Sequence, residues 1–332
     1  MVPSTSTPPS LTGLLQKLLS EDWLPTPAEL VQLSDLTRQG VEAVRAVWPQ
    51  IPEERRYYVL HRLVAESYEN LHLHLGALLR LALRDESGRV RALAIQGLWE
   101  DLGEDLVGPF AHLLLHDPEE EVRAAAAEAL GAFVLAGELD EFNPALAMRA
   151  EEALLQVLHN PQEPLQVRCR ALESISFSGE TGVRQLIEDG YYAAEEEMQV
   201  AALVAMGRSA DIRWRGTVRV ELTHPSPAIR AAAARAAGEL EAHTALETLI
   251  ELLDDPDQEV RLAAIFALGR LGGDEARVAL ETVLLSGDLA EAQAAEDALE
   301  EMIFYEDEEI PLFDELSLED SDWDWSEPYE EW

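Results

Sequence analysis

The chain repeats one hydrophobic pattern. In residues 255–269 (DPDQEVRLAAIFALG) the apolar side chains Val260, Ala264, Ile265 and Leu268 fall at 0, +4, +5 and +8. That is the spacing of one stripe on a helix of 3.6 residues per turn. The string recurs at 117–131 (DPEEEVRAAAAEALG) and 224–238 (HPSPAIRAAAARAAG), with weaker copies at 85–99, 167–176 and 193–207. Marking each copy by the apolar residue before its arginine (a glutamine at 199) gives Val90, Val122, Val167, Met198, Ile229 and Val260. These stand 32, 45, 31, 31 and 31 residues apart. Three equal intervals in succession point to a structural repeat. A loose copy precedes the series at 53–68 and a degenerate one follows at 289–302, so eight units are predicted. The end units depart most from the pattern, as expected where a stacked array must turn a polar face to water.

Each unit reads as two helices. The marked helix is preceded by Asp117, Asn160 or Asp255, each followed by proline, which suits an N-cap with proline at the first helical position. Gly131, Gly207, Gly238 and Gly269 are read as the breakers that end it. The helix before it is shorter and leucine-rich, as at 245–253 (ALETLIELL) and 107–115 (VGPFAHLLL). Alanine at +4 lets neighbouring helices approach closely. No pair can bury its apolar face alone, so the pairs must stack. The interval of 45 residues before Val167 predicts a longer loop or a longer helix around 137–143.

These residues resemble HEAT repeats, in particular the short, 31-residue class known as phycobilisome-lyase-type HEAT-like repeats. The carrying pattern is D-P-x-x-x-V-R-x-x-A-x-x-A-L-G, and it covers roughly residues 50–303. The resemblance implies an all-α fold, a right-handed α–α superhelix of the HEAT/armadillo type with about eight helical pairs. It also implies that Arg91, Arg123, Arg168, Arg230 and Arg261 pair with Asp85, Asp117 and Asp255 in a structural ladder along the stack. In the fifth unit Met198 and Gln199 replace Val-Arg and no aspartate precedes them, so the ladder is expected to break there. Arrays of this family line their concave side with the second helix of each pair, which makes +2, +6 and +10 the outward columns. The resulting organisation is a disordered lead (1–10), an N-terminal helical cap (11–52), the repeat array (53–303) and an acidic, aromatic-rich tail (304–332).

Composition narrows the function. Asp and Glu number 65 against 24 Lys and Arg, a formal net charge of −41 over 332 residues. A phosphate-binding surface needs clustered cations to displace counterions, so nucleic acid is not the expected partner. Hydrophobic residues make up 47% and suffice for a core, while aromatics are only 6%, which leaves Ala and Leu to carry the apolar weight and favours helix. The single cysteine, Cys169, excludes an internal disulfide and any CxxC zinc site. No apolar run approaches the eighteen or so residues of a membrane helix, and residues 1–10 (MVPSTSTPPS) lack the basic and apolar regions of a secretory signal. A cytoplasmic location without membrane contact is the expectation.

Candidate chemistry is sparse. His112 and His116 lie four apart on one helix, a spacing that can chelate a metal, but two ligands alone favour a surface or capping role. His72 and His74 point to different faces. Deoxyhypusine hydroxylase, an enzyme of the HEAT-repeat class, holds two irons with repeated His-Glu pairs; none of the eight histidines here precedes a Glu. Arginines flank Cys169 and would lower its thiol pKa, yet no histidine base is near. No catalytic residue, metal or cofactor is therefore predicted. The outward columns of units four to seven carry Phe177, Val200, Val204, Leu262 and Phe266 beside Arg208, Arg235 and Arg270. Exposed aromatics beside arginine are the composition of an interface centre. The early units show acids at Glu100 and Glu128 instead. The tail holds thirteen acids, no base and seven aromatics, Trp323 and Trp325 among them. It reads as a linear binding segment, a cap over the last repeat or a solubiliser. As a binding segment it would dock intramolecularly, or on a neighbouring chain, against the arginine surface of units four to seven. The leading expectation is a non-enzymatic protein–protein interaction scaffold that binds a partner segment, basic by charge preference, along its inner helices. The alternative is a bilin-lyase-like or chaperone-type accessory protein.

Overall fold

The computed structural model describes residues 10–20, 25–70, 72–285 and 288–308. Among these the chain forms helices and short 3-10 turns, with no strand. The N-terminal helices α1 (Leu11–Leu18), α2 (Pro27–Leu30) and α3 (Arg38–Val47) lead into α4 (Glu53–Glu69). Pairs then follow in strict alternation: α5 (Gly76–Ala82) and α6 (Gly88–Gln96); α7 (Glu104–His116) and α8 (Glu120–Glu138); α9 (Pro144–Leu158) and α10 (Leu165–Ile175). The series continues with α11 (Thr181–Tyr191) and α12 (Glu196–Arg208), then α13 (Arg215–Glu221) and α14 (Pro227–Glu239). It closes with α15 (Leu246–Glu251) and α16 (Gln258–Leu271), then α17 (Asp274–Val283) and α18 (Leu289–Glu308). Counting α3 with α4, this makes eight pairs.

Every second helix packs on the second helix of the next pair, without a break from α4 to α18. One apolar core runs the length of the stack, from Leu14 to Met302. The marked residues lie at its centre: Val59, Val90, Val122, Val167, Ile229 and Val260 are all at most 2% exposed. Val260, Ala264, Ile265 and Leu268 are buried together, so the predicted stripe is the buried one.

Two local readings need correction. Asp117, Asn160 and Asp255 are not helix N-caps, because α8, α10 and α16 begin several residues later. Each instead caps the tight turn before the helix: Asp117 Oδ1 accepts from the Glu119 amide (3.0 Å), Asn160 Oδ1 from Gln162 (3.1 Å) and Asp255 Oδ1 from Asp257 (2.9 Å). Such side-chain turns compete with helix and delay its start. Gly131, Gly207, Gly238 and Gly269 do not end their helices either; each lies inside one. A Cβ on Gly238 would sit 2.8 Å from Ala267 Cα, and one on Gly269 2.8 Å from Ala298 Cβ. The glycines admit the next second helix at close range. The turn out of the helix falls three residues later, at left-handed Ala210 (φ 50°), Glu241 (φ 48°) and Gly272 (φ 66°). There the Ala242 amide closes back on the Ala237 carbonyl (2.9 Å), as in a Schellman stop.

The long interval before Val167 is spent on helix. α8 runs 19 residues and α9 15. Their joint is fixed by Phe133, which meets Phe110 at 6.1 Å and Phe142 at 5.2 Å, both edge-on.

Candidate functional site

The arginines at +1 build one side of the array. Arg91 grips Asp117 of the next pair through two hydrogen bonds (2.8 and 2.7 Å), both groups buried. Arg230 grips Asp255 in the same way (2.8 and 2.8 Å). The third nitrogen of each fork turns back to carbonyls of its own pair: Arg91 to Asp85 (2.7 Å), Arg230 to His224 (2.9 Å). The planar guanidinium suits this double role. Arg230 beside Asp255 holds that carboxyl below the ordinary carboxylate range.

Several rungs use partners outside the expected set. Arg123 pairs with Glu163 (2.6 Å) and Arg261 with Glu291 (2.8 Å). Asp85 receives Arg56 (2.8 Å) and the Trp48 indole N–H (2.7 Å). Arg168 departs from the ladder: its Nε is buried without a hydrogen-bond partner, and Ala193 stands where pairs two, three and seven have aspartate. Gln199 keeps only the backward bond, to the Ala193 carbonyl (2.8 Å). The ladder is therefore interrupted on both sides of the fifth pair.

A second column runs along the second helices at +10. Arg208, Glu239, Arg270 and Glu301 follow one another in alternating sign. The Glu239 carboxyl packs on Gly207. Burial there raises its pKa against the pull of Arg208, Arg235 and Arg270. Arg270 reaches Glu301 (3.2 Å). Arg208 lies over the Phe177 ring (5.5 Å) and near Glu173 (4.0 Å), and Arg235 lies 3.9 Å from Glu259. These arginines already face carboxylates within the array. Glu173, placed on an outward column, is buried against Arg170 (2.7 Å). Phe177, Val200 and Leu262 are half-buried against the core rather than open. Val204 is half-buried, and Phe266 is the most open of the set at 38%. Trp323 and Trp325, like the tail beyond residue 308, lie outside the described residues, as do residues 1–9 of the lead.

Two exposed aromatics escaped the sequence reading. Tyr68 and Trp99 stack at 6.4 Å on the first two pairs, 60% and 55% exposed. They border a cleft of about 530 Å³ with His74 and Glu100. The signal was positional: both stand at +9, where pairs three, five, six and seven carry glycine.

The remaining candidates are His112, His116 and Cys169. His112 and His116 lie side by side (5.0 Å) on α7, and no group of three or more metal-ligating side chains occurs among the described residues. Burial and nearby Glu173 push the Cys169 thiol up to about 11, so the flanking arginines do not activate it. No helix of the described residues is long and apolar enough to cross a membrane.

The family comparison agrees with the architecture. The family model of HEAT repeats matches residues 76–152 and 217–300. Among solved structures, an engineered protein is 22% identical, covering 60% of this chain and 96% of its own, with a TM-score of 0.39. The complex of CpcE and CpcF of phycocyanin lyase from Nostoc is 18% identical, covering 68% of this chain and 94% of that one (TM-score 0.46). Importin beta is 16% identical over 88% of this chain and 44% of its own (TM-score 0.46). No curated protein matches the chain. With its repeated motif, its unbroken stack of helical pairs and the match at 76–152 and 217–300, the chain is a HEAT-repeat protein, an all-helical solenoid.

Proposed function

We propose that this solenoid is a non-enzymatic interaction scaffold whose second helices hold an extended segment of a partner protein. The observation that carries the reading is the surface of α12, α14 and α16. There the half-open Val204 and the exposed Phe266 lie beside the alternating column Arg208, Glu239, Arg270 and Glu301. Apolar anchors flanked by fixed charges of both signs select a segment by register as well as by burial. Toward the N-terminus, Glu100 and Glu128 add acidic ground, which favours a basic end on the partner. The Tyr68–Trp99 pair extends the same layer with a further aromatic anchor.

The test uses polypeptides that co-purify with the full chain. Val204→Glu with Phe266→Glu should lower their recovery at least tenfold, with the circular dichroism spectrum unchanged. Val278→Glu, on an exposed position of α17 (62%), should leave recovery intact. Equal recovery with both variants would remove the second-helix face from consideration.

A further inference from the structure

The first helices carry a trough in which arginine is concentrated. Between α3 and α5 lies a cavity of about 550 Å³ whose accessible floor is Val41, Pro49, Ala77 and Leu81. It continues between α5 and α7, sharing Arg80 and Arg84, and then between α7 and α9, sharing His112. Its rim carries Arg45, Arg80, Arg84, His112, His116 and Arg149, with Glu86, Asp105 and Glu152 among them; Asp85 is taken up by Arg56. Arg84 and Arg149 are exposed and form no ion pair with a described residue. Arg45 has only the exposed Glu42 on its own helix (2.9 Å). Arg80 is the one member firmly held, by Asp101 and Asp105. In a chain of 65 acids and 24 bases, Arg45, Arg84 and Arg149 along one trough are a local concentration of cations that can receive negative charge between the lining carboxylates.

The chain itself contains the complementary segment. Residues 309–332 hold ten acids, no base and five aromatics, with Asp322-Trp323-Asp324-Trp325 at their centre. Arginine receives carboxylates in its plane and aromatic rings on its face, and the apolar floor takes the remaining ring surface. Reach decides which copy supplies it. From α18 to the α3–α5 trough is seven steps of the stack, about 65 Å at 8–10 Å per packed helix. The 24 residues span about 80 Å when fully extended. A segment from the same chain would spend most of its length travelling and leave little to dock. We propose that the trough of α3, α5 and α7 is a docking site for residues 309–332 of a second copy, joining chains head to tail. The contact is heterologous, so it propagates rather than closing at a dimer.

Sedimentation velocity of the full chain, as a function of protein and salt concentration, tests this. The chain should form species beyond a dimer as concentration rises, and revert to monomer as salt screens the contact. Deleting 309–332 should leave a monomer, and so should Arg45→Glu with Arg84→Glu; both arginines are exposed, so folding is not at stake. The decisive arm mixes the two variants. One keeps the trough, the other keeps the segment, and together they should give a dimer that grows no further. A mixture that stays monomeric, a full chain that is monomeric throughout, or variants that associate like the full chain would each overturn the proposal.

Discussion

Asp255 shows how much one carboxylate does in this array. One oxygen caps the turn at Asp257 while both oxygens hold the Arg230 fork. Its folded pKa lies below the ordinary value, so the ionised form is bound more tightly folded than unfolded. That stabilisation is complete above the unfolded pKa near 4 and is lost as pH falls through the lowered value. Asp255→Asn keeps the turn and loses the charge, and should cost about 2 kcal/mol at pH 7. In urea titrations the gap to the parent chain should narrow between pH 7 and pH 3; a constant gap would show that the rung is not what the substitution removes. The Arg91–Asp117 and Arg230–Asp255 rungs lie where the resemblance points. Glu163, Glu291, Arg56 and Trp48 were not legible, because glutamate reaches the same arginine from a different sequence offset and nothing in the repeat marks a tryptophan as a ladder member.

At the scale of the helix, the glycines separate what periodicity reveals from what it hides. The stripe at 0, +4, +5 and +8 states which face is buried, and the intervals state how many helices follow one another. A glycine near a helix end looks the same whether it stops that helix or admits another; only the distance to Ala267 decides. Gly238→Ala gains about 1 kcal/mol of helix propensity but forces α14 and α16 apart, a strain of about 1–3 kcal/mol. The net result should be a loss of about 1 kcal/mol. Gly216→Ala in α13 is the control, since a Cβ there meets nothing within 4 Å. Thermal unfolding should lower the midpoint of the first variant and leave or raise that of the second. If both rise, α14 and α16 do not touch at Gly238. The site was half legible by the same logic: Phe266 and Val204 followed from the column, whereas the burial of Glu173 and Leu262 depends on how closely the next helix passes.

For the molecule as a whole, stacking leaves each pair in contact chiefly with its neighbours, so stability is close to a sum of pairs and seams. The seams around the fifth pair lack their rungs. Elsewhere every rung joins an arginine of one pair to an acid of the next, which makes a pair a cassette with a plug and a socket. Excision of residues 230–260, 31 in all, would splice Ile229 to Arg261. Arg261 would then inherit the His224 carbonyl now held by Arg230 and keep Glu291. The ladder tolerates the loss of one cassette. The column at +10 does not: the splice sets Arg208 beside Arg270, with no Glu239 between them. Excision of 62 residues, 199–260, restores the order, because Arg270 then takes the place of Arg208 ahead of Glu301. Both shortened chains should fold, and added salt should raise the melting temperature of the 31-residue excision more than that of the 62-residue one. Equal salt responses would refute the rule. Across pairs five to eight the inner column thus imposes a parity: repeats there can be removed freely only in even numbers.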